Sequence, residues 1–245
     1  NTVVVFVNVA NERHVGPDRG WVRLARELAG HGIRSVRLDL SGVGDSPSRP
    51  GQDRDVVYAP EWLTDLPDAV RSLAPAPVVL VGLCSGAYSA LECALSGSVR
   101  GVCAINPVVD IEWLATPSRL WHPERRALRV MPAPLRRLAV RHRRMAEWIW
   151  RALRQVLVWG DPAGVLAGAV RRGTDVLVVA SPTDAQPFRR TLFWRRIGLP
   201  RLERTGRFRL EVVETLDHAV DRAAGRNAAL IVVAAHLIDC YSIFG

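Results

Sequence analysis

The residue in this chain whose type and setting most directly offer chemistry is Cys84. It stands in Val78-Val79-Leu80-Val81-Gly82-Leu83-Cys84-Ser85-Gly86-Ala87, where an apolar run meets two glycines spaced around a sulfur. The run suits a buried strand, and Tyr88 to Leu95 suits a helix, so the sulfur sits on the tight turn between them. That small-x-nucleophile-x-small spacing is a nucleophile elbow. A Cβ at Gly82 or Gly86 would press on the adjoining strand or helix, and the apex backbone is strained. Counting between the glycines puts Cys84, not Ser85, at the apex. At a helix N-terminus, free N–H groups and the helix dipole favour a thiolate and later an oxyanion. The competing reading is a buried cysteine in a Gly-rich turn.

The flanking elements must hold that turn in place. Thr2 to Val9 is a β-branched run suited to a strand buried on both faces. Asp18 is placed to cap a helix running to about His31, which Gly32 ends. Ile33 to Leu40 is the next strand, Pro60 to Leu73 a helix, and Val99 to Ile105 a strand. After Asn106-Pro107 the segment to about Ala167 reads as helical, with many arginines (the Arg136 to Arg144 run among them) and tryptophans, including Trp113 and Trp121. Alternation resumes with a strand at Asp175 to Ala180, a helix at Pro187 to Ile197, a strand at Phe208 to Glu214, and a helix from Asp221 to about Asp239. The pattern predicts an α/β fold: a mostly parallel, doubly wound sheet over 1–107 and 168–245, with a helical lid over 108–167. Ligands in such sheets bind at the carboxyl ends of the strands.

Bulk properties narrow the classes. The 245 residues, 49% apolar, suffice for one large core. Four cysteines (Cys84, Cys93, Cys103, Cys240) show neither metal spacing nor a paired framework, so a reducing cytoplasm is expected and no metal or cofactor. No signal peptide is expected, and the absence of an initiator Met leaves room for missing upstream residues. The apolar run Ala228 to Ile238 reads as too short to span a bilayer. The charge of +9 comes from arginine alone, since there is no lysine. Such a surface attracts anions, but no nucleic-acid module accompanies it. Oligomeric state is left open.

The motifs together resemble the α/β-hydrolase superfamily over nearly all of the chain except the lid. Asp39-x-x-Gly42-x-Gly44-x-Ser46 is similar to that family's D-x-R-G-x-G-x-S turn, with Ser41 in place of arginine. Asn11-Glu12-Arg13-His14-Val15-Gly16-Pro17 resembles a subgroup of small bacterial hydrolases. Asp184 follows the penultimate core strand, where the family carries its acid; Asp161 and Asp175 are rivals, but Asp175 precedes its strand. His218 follows the last strand, where the family carries its base. The resemblance implies a Cys84–His218–Asp184 triad: His218 accepts the thiol proton and Asp184 orients the imidazole. It also implies an oxyanion hole from the N–H of Ser85 and that of Ala10 or Val9, with Asn8-Val9 where His-Gly is usual.

A cysteine nucleophile forms a thioester acyl-enzyme, which can pass its acyl group to water, an alcohol, an amine or a thiol. Cysteine elbows occur in dienelactone hydrolases and some thioesterases. The expected activity is hydrolysis of a thioester or ester. The alternatives are an acyltransferase or cyclase and a non-catalytic binding protein of the same fold. Asn11, Trp113 and Trp121 are candidate substrate contacts. The lid arginines could dock a phosphopantetheine arm, coenzyme A or an acidic carrier protein, or form only a solvated helix face.

Overall fold

A computed structural model describes residues 1–107, 162–186, 188 and 198–242. Six strands and six α-helices are defined there: β1 (Val3–Val7), α1 (Gly20–Gly30), β2 (Arg34–Leu38), α2 (Trp62–Ser72), β3 (Val78–Leu83), α3 (Ser85–Ala94), β4 (Gly101–Ile105), α4 (Pro162–Arg171), β5 (Asp175–Ala180), α5 (Leu199–Glu203), β6 (Phe208–Val212) and α6 (Ala223–Tyr241). The strands form one sheet in the order β2-β1-β3-β4-β5-β6, every pair parallel. The order reverses direction after β1, so helices fall on both faces, as the alternation predicts.

Burial explains the strand sequences. Every residue of β1, β3 and β4 is buried, which suits their unbroken apolar runs. The edge strand β2 carries Arg34 and Arg37, and none of its residues is buried. Trp21 stacks on Phe6, with ring centroids 5.4 Å apart, and donates from Nε1 to the carbonyl of Val7. This pins α1 against β1. Gly16, at φ +70°, lies where an added Cβ would come within 2.5 Å of the Trp21 ring.

Two expectations are corrected. Asp18 does not cap α1: it adopts φ 48° in a short 3-10 turn (Pro17–Arg19), and its carboxylate pairs instead with Arg226, 2.8 Å away on α6. A long-range ion pair thus replaces the local cap. The last helix is also longer than the apolar run within it. At 19 residues, α6 has the length and composition to cross a bilayer. Val233 and Leu237 are nevertheless fully buried in the cluster that includes Trp21 and Leu177, on α1 and β5.

The described residues belong almost entirely to one compact unit, Asn1–Val109 with Val165–Gly245. The expected lid boundary at residue 167 falls inside α4, whose Leu166 and Ala169 are fully buried. Residues 108–161, with Trp113, Trp121 and the arginine run, lie outside the described part, as does most of the helix expected over 187–197.

Candidate active site

The turn between β3 and α3 is built as its glycines require. Cys84 adopts φ 50°, ψ −112°, an uncommon conformation for a residue with a Cβ. It is held from both sides: its N–H donates to the Ile105 carbonyl at 2.9 Å, and its own carbonyl accepts from the Tyr88 N–H at 3.0 Å. A Cβ on Gly82 would lie 2.4 Å from the Gly86 backbone, and one on Gly86 would lie 2.5 Å from the Asn8 carbonyl oxygen. Helix α3 can therefore pack this closely on β1 and β3 only with glycine at both positions.

The sulfur is half-buried. Burial pushes the Cys84 thiol above its ordinary range; a hydrogen bond from Tyr58 and the Ser85 backbone N–H pull the other way, and the charge of Asp184 adds to the rise. Desolvation thus outweighs the groups that favour a thiolate, contrary to what the helix N-terminus alone predicts. The Tyr58 hydroxyl lies 3.8 Å from Sγ. Among the described residues, no hydrogen bond joins Sγ to His218.

Asp184 and His218 come together at the carboxyl ends of β5 and β6. His218 Nδ1 is 2.7 Å from Asp184 Oδ1. The Ser181 hydroxyl donates to Asp184 Oδ2 at 2.5 Å and also accepts from the Asp184 N–H. The Asp184 side chain is 14% exposed and the His218 side chain 53%, so the acid is sheltered and the imidazole open. The rival Asp175 opens β5 at the opposite edge, where it pairs with Arg207 at 2.8 Å. Asp161 lies outside the described residues.

A buried asparagine joins the two loops. Asn106, at the end of β4 with φ 43°, donates from Nδ2 to the carbonyls of Asp217 (2.8 Å) and His218 (3.1 Å). Its Oδ1 accepts from the Ser181 N–H at 2.8 Å. One side chain thus fastens the acid loop to the histidine loop. Sequence reading registers Asn106 only as the point where the strand pattern stops. Its signal is a polar residue closing a fully apolar strand at the ligand-binding edge. Ser181 carries the same signal one strand later, and Tyr58 carries none.

The two segments expected to supply oxyanion-hole donors touch each other, and the Ala10 N–H is engaged within the protein. The Ala10 N–H, at φ 46°, donates to Ser85 Oγ at 2.7 Å, while the Val9 carbonyl accepts from Glu12. Asn8, which replaces the histidine of the usual His-Gly, is fully buried: Oδ1 accepts from the Leu40 N–H and Nδ2 donates to the Ala10 carbonyl. It ties the β1 loop to the β2 turn. Asn11 is exposed on the same loop.

In the β2 turn, Asp39 Oδ2 accepts from the Asp45 N–H and lies 2.9 Å from His14 Nδ1, while the Ser46 hydroxyl donates to the Asp39 carbonyl. Gly42 and Gly44 both have positive φ. His14, Asp39 and Asp45 bring three potential ligand atoms within 4.8 Å of one another. Arg13 lies 3.8 Å from Asp45, and Asp39 Oδ1 is buried without a hydrogen-bond partner.

Comparison with known proteins agrees with this architecture. The alpha/beta hydrolase family matches residues 11–238. No curated protein matches the chain in sequence. Among solved structures, the chain is similar to alpha/beta hydrolase domain-containing protein 10 from mouse, at 15% identity and TM-score 0.54, covering 98% of this chain and 90% of that one. It is similar to Est1E from Butyrivibrio proteoclasticus, solved with ferulic acid bound, at 13% identity and TM-score 0.56, covering 98% and 89%. It is also similar to dienelactone hydrolase from Anabaena variabilis, at 11% identity and TM-score 0.56, covering 97% and 85%. At these identities the likeness speaks to the fold. The family match spans nearly the whole chain, and with the parallel sheet and its elbow it leads to one conclusion: the chain belongs to the alpha/beta hydrolase family of enzymes.

Proposed function

We propose that the protein is an acyl-transfer enzyme that hydrolyses a thioester or ester through a covalent acyl-cysteine, with Cys84 as nucleophile, His218 as general base and Asp184 as its orienting acid. The observation that carries the reading is the 2.7 Å contact between His218 Nδ1 and Asp184 Oδ1, at the same sheet edge as a cysteine held at φ 50°. A carboxylate on Nδ1 leaves Nε2 as the nitrogen free to take a proton. The imidazole is exposed, and catalytic contacts commonly tighten only when substrate binds.

In the proposed cycle His218 Nε2 takes the Cys84 proton and the sulfur bonds to the acyl carbon. The negative charge moves to the carbonyl oxygen, near the Ser85 N–H. Expulsion of the leaving group breaks its bond to carbon, and the imidazolium supplies its proton. Water then gives a proton to His218 and attacks the thioester, releasing the acid and restoring the thiol. The raised thiol makes the proton acceptor necessary, because little thiolate forms at neutral pH without one.

Incubation with activated acyl thioesters, followed by rapid acid quench and peptide mass mapping, tests the reading. The expected result is an acyl adduct on Cys84 that decays in wild type and is absent from Cys84→Ala, with turnover lost in that variant. A Cys84→Ala protein with wild-type turnover would overturn it.

A further inference from the structure

Tyr58 is the one side chain hydrogen-bonded to the candidate nucleophile among the described residues, and the segment carrying it is bent to put it there. It lies between β2 and α2 with φ 62°, a left-handed conformation that a bulky residue rarely adopts. Asp55, three residues earlier, is also left-handed at φ 57°, and its N–H donates to the Gly42 carbonyl at 2.9 Å. The loop thereby doubles back on the β2 turn. Its burial pattern inverts ordinary preference: Val56 and Val57 are each 39% exposed, while the tyrosine beside them is turned inward. The Tyr58 ring packs edge-on to Tyr88 of α3, with centroids 5.5 Å apart and planes at 78°, and its hydroxyl ends 3.8 Å from Cys84 Sγ.

We propose that Tyr58 is a catalytic residue whose hydroxyl donates a hydrogen bond to the Cys84 thiolate and so sets the pH range over which the sulfur reacts. This rests on the reading of Cys84 as nucleophile. The groups facing the sulfur are the Tyr58 hydroxyl, the Ser85 N–H and the Asp184 carboxylate with its partner His218. Those facing Tyr58 are Cys84 and Tyr88, and Tyr88 in turn faces Glu92. Burial holds the Tyr58 phenol well above its ordinary range, so it keeps its proton while the thiol ionises and remains the donor.

A donor that stabilises a thiolate also tempers its nucleophilicity, and this gives the test a signature that packing cannot imitate. Hydrogen bonds to charged groups are strong enough that removing this one lowers the thiolate fraction at neutral pH by about tenfold. Nucleophilicity rises with thiol basicity with a slope of about 0.4–0.5, recovering roughly threefold of that loss. The experiment reacts the full chain with an aromatic disulfide from mildly acidic to alkaline pH, in a Cys240→Ser background that removes the exposed thiol of the last helix. The thiolate attacks one sulfur, forming a mixed disulfide and releasing an aromatic thiolate read by absorbance; peptide mapping assigns the adduct to Cys84.

For Tyr58→Phe, which keeps the ring, the expected result is a reaction roughly threefold slower near neutrality and roughly threefold faster at alkaline pH, the two profiles crossing. Tyr88→Phe, which keeps the ring contact and never touches the sulfur, should follow wild type. Superimposed wild-type and Tyr58→Phe profiles would overturn the proposal. So would a Tyr58→Phe protein that is faster at every pH, the result expected if the phenol merely blocked access. A Tyr88→Phe shift equal to that of Tyr58→Phe would overturn it in favour of packing. A wild-type Cys84 inert at every pH would instead overturn the nucleophile reading, and this proposal with it.

Discussion

The two halves of the candidate site are held in different ways. The elbow is a local object: ten consecutive residues put a buried strand, two glycines and a strained cysteine in order, and the neighbouring backbone clamps them at 2.4 to 2.5 Å from any added Cβ. The relay half is an assembly. Asp184 and His218 lie 34 residues apart on two loops, joined by one contact to each other and fastened through Asn106, which comes from a third strand. The first half is kept by excluded volume and the second by a few hydrogen bonds. A steric arrangement tolerates no added atom, and a hydrogen-bonded one tolerates no lost donor or acceptor.

The variants that probe this contrast can be ranked by expected effect. Asp184→Asn should lower turnover by on the order of 10³–10⁴, because the amide can hold His218 in the wrong tautomer while the fold stays intact. Thermal melts should match wild type, and equal turnover would detach Asp184 from the relay. Asn106→Asp comes next, with turnover expected to fall by about a hundredfold through misplacement of the histidine loop. The carboxylate can still accept from Ser181 but cannot donate to the carbonyls of Asp217 and His218. Disulfide labelling of Cys84 should survive in this variant, since the elbow is untouched. Loss of labelling along with turnover would mean that the two halves are mechanically one.

Gly86→Ala attacks the other half. A Cβ placed 2.5 Å from the Asn8 carbonyl must push α3 from β1, with an expected cost of about 1–3 kcal/mol in denaturant titrations. An unchanged midpoint would show that the elbow is looser than the contact implies. The smallest effect is expected from Glu92→Gln, at a half-buried position of α3. Burial raises the Glu92 carboxyl above its ordinary range, so between the unfolded and folded values the native chain keeps a proton that the unfolded chain has released. Stability therefore falls as pH rises through that window. The glutamine variant should melt higher than wild type at neutral pH and match it below the unfolded value of 4.5. A wild-type advantage at neutral pH would reverse the sign.

The same contrast decides what could be read from the residues in order. Apolar runs and their punctuation locate the strands, and for Asp175–Ala180 the bounds coincide. The elbow is legible because its parts are adjacent. Asp184 and His218 are legible as positions after strands, through resemblance, but the chain in order carries no trace of what fastens them. Asp18 shows the opposite failure: a residue placed to cap a helix is taken by an arginine over 200 positions away. An ion pair made in the folded state competes with a local cap on equal terms, and sequence distance does not enter its energy.

Sequence alone determined the parallel alternation of strands and helices and the sulfur raised between two glycines, because chain neighbours and simple periodicity set both. Only the tertiary structure decided that Tyr58 turns inward to the sulfur while two valines face solvent. It also decided that Asn106 holds the relay loops, and that burial, not the helix N-terminus, dominates the thiol. Each of these outcomes depends on which groups meet across space and how much water remains between them, and those are properties of the packed chain.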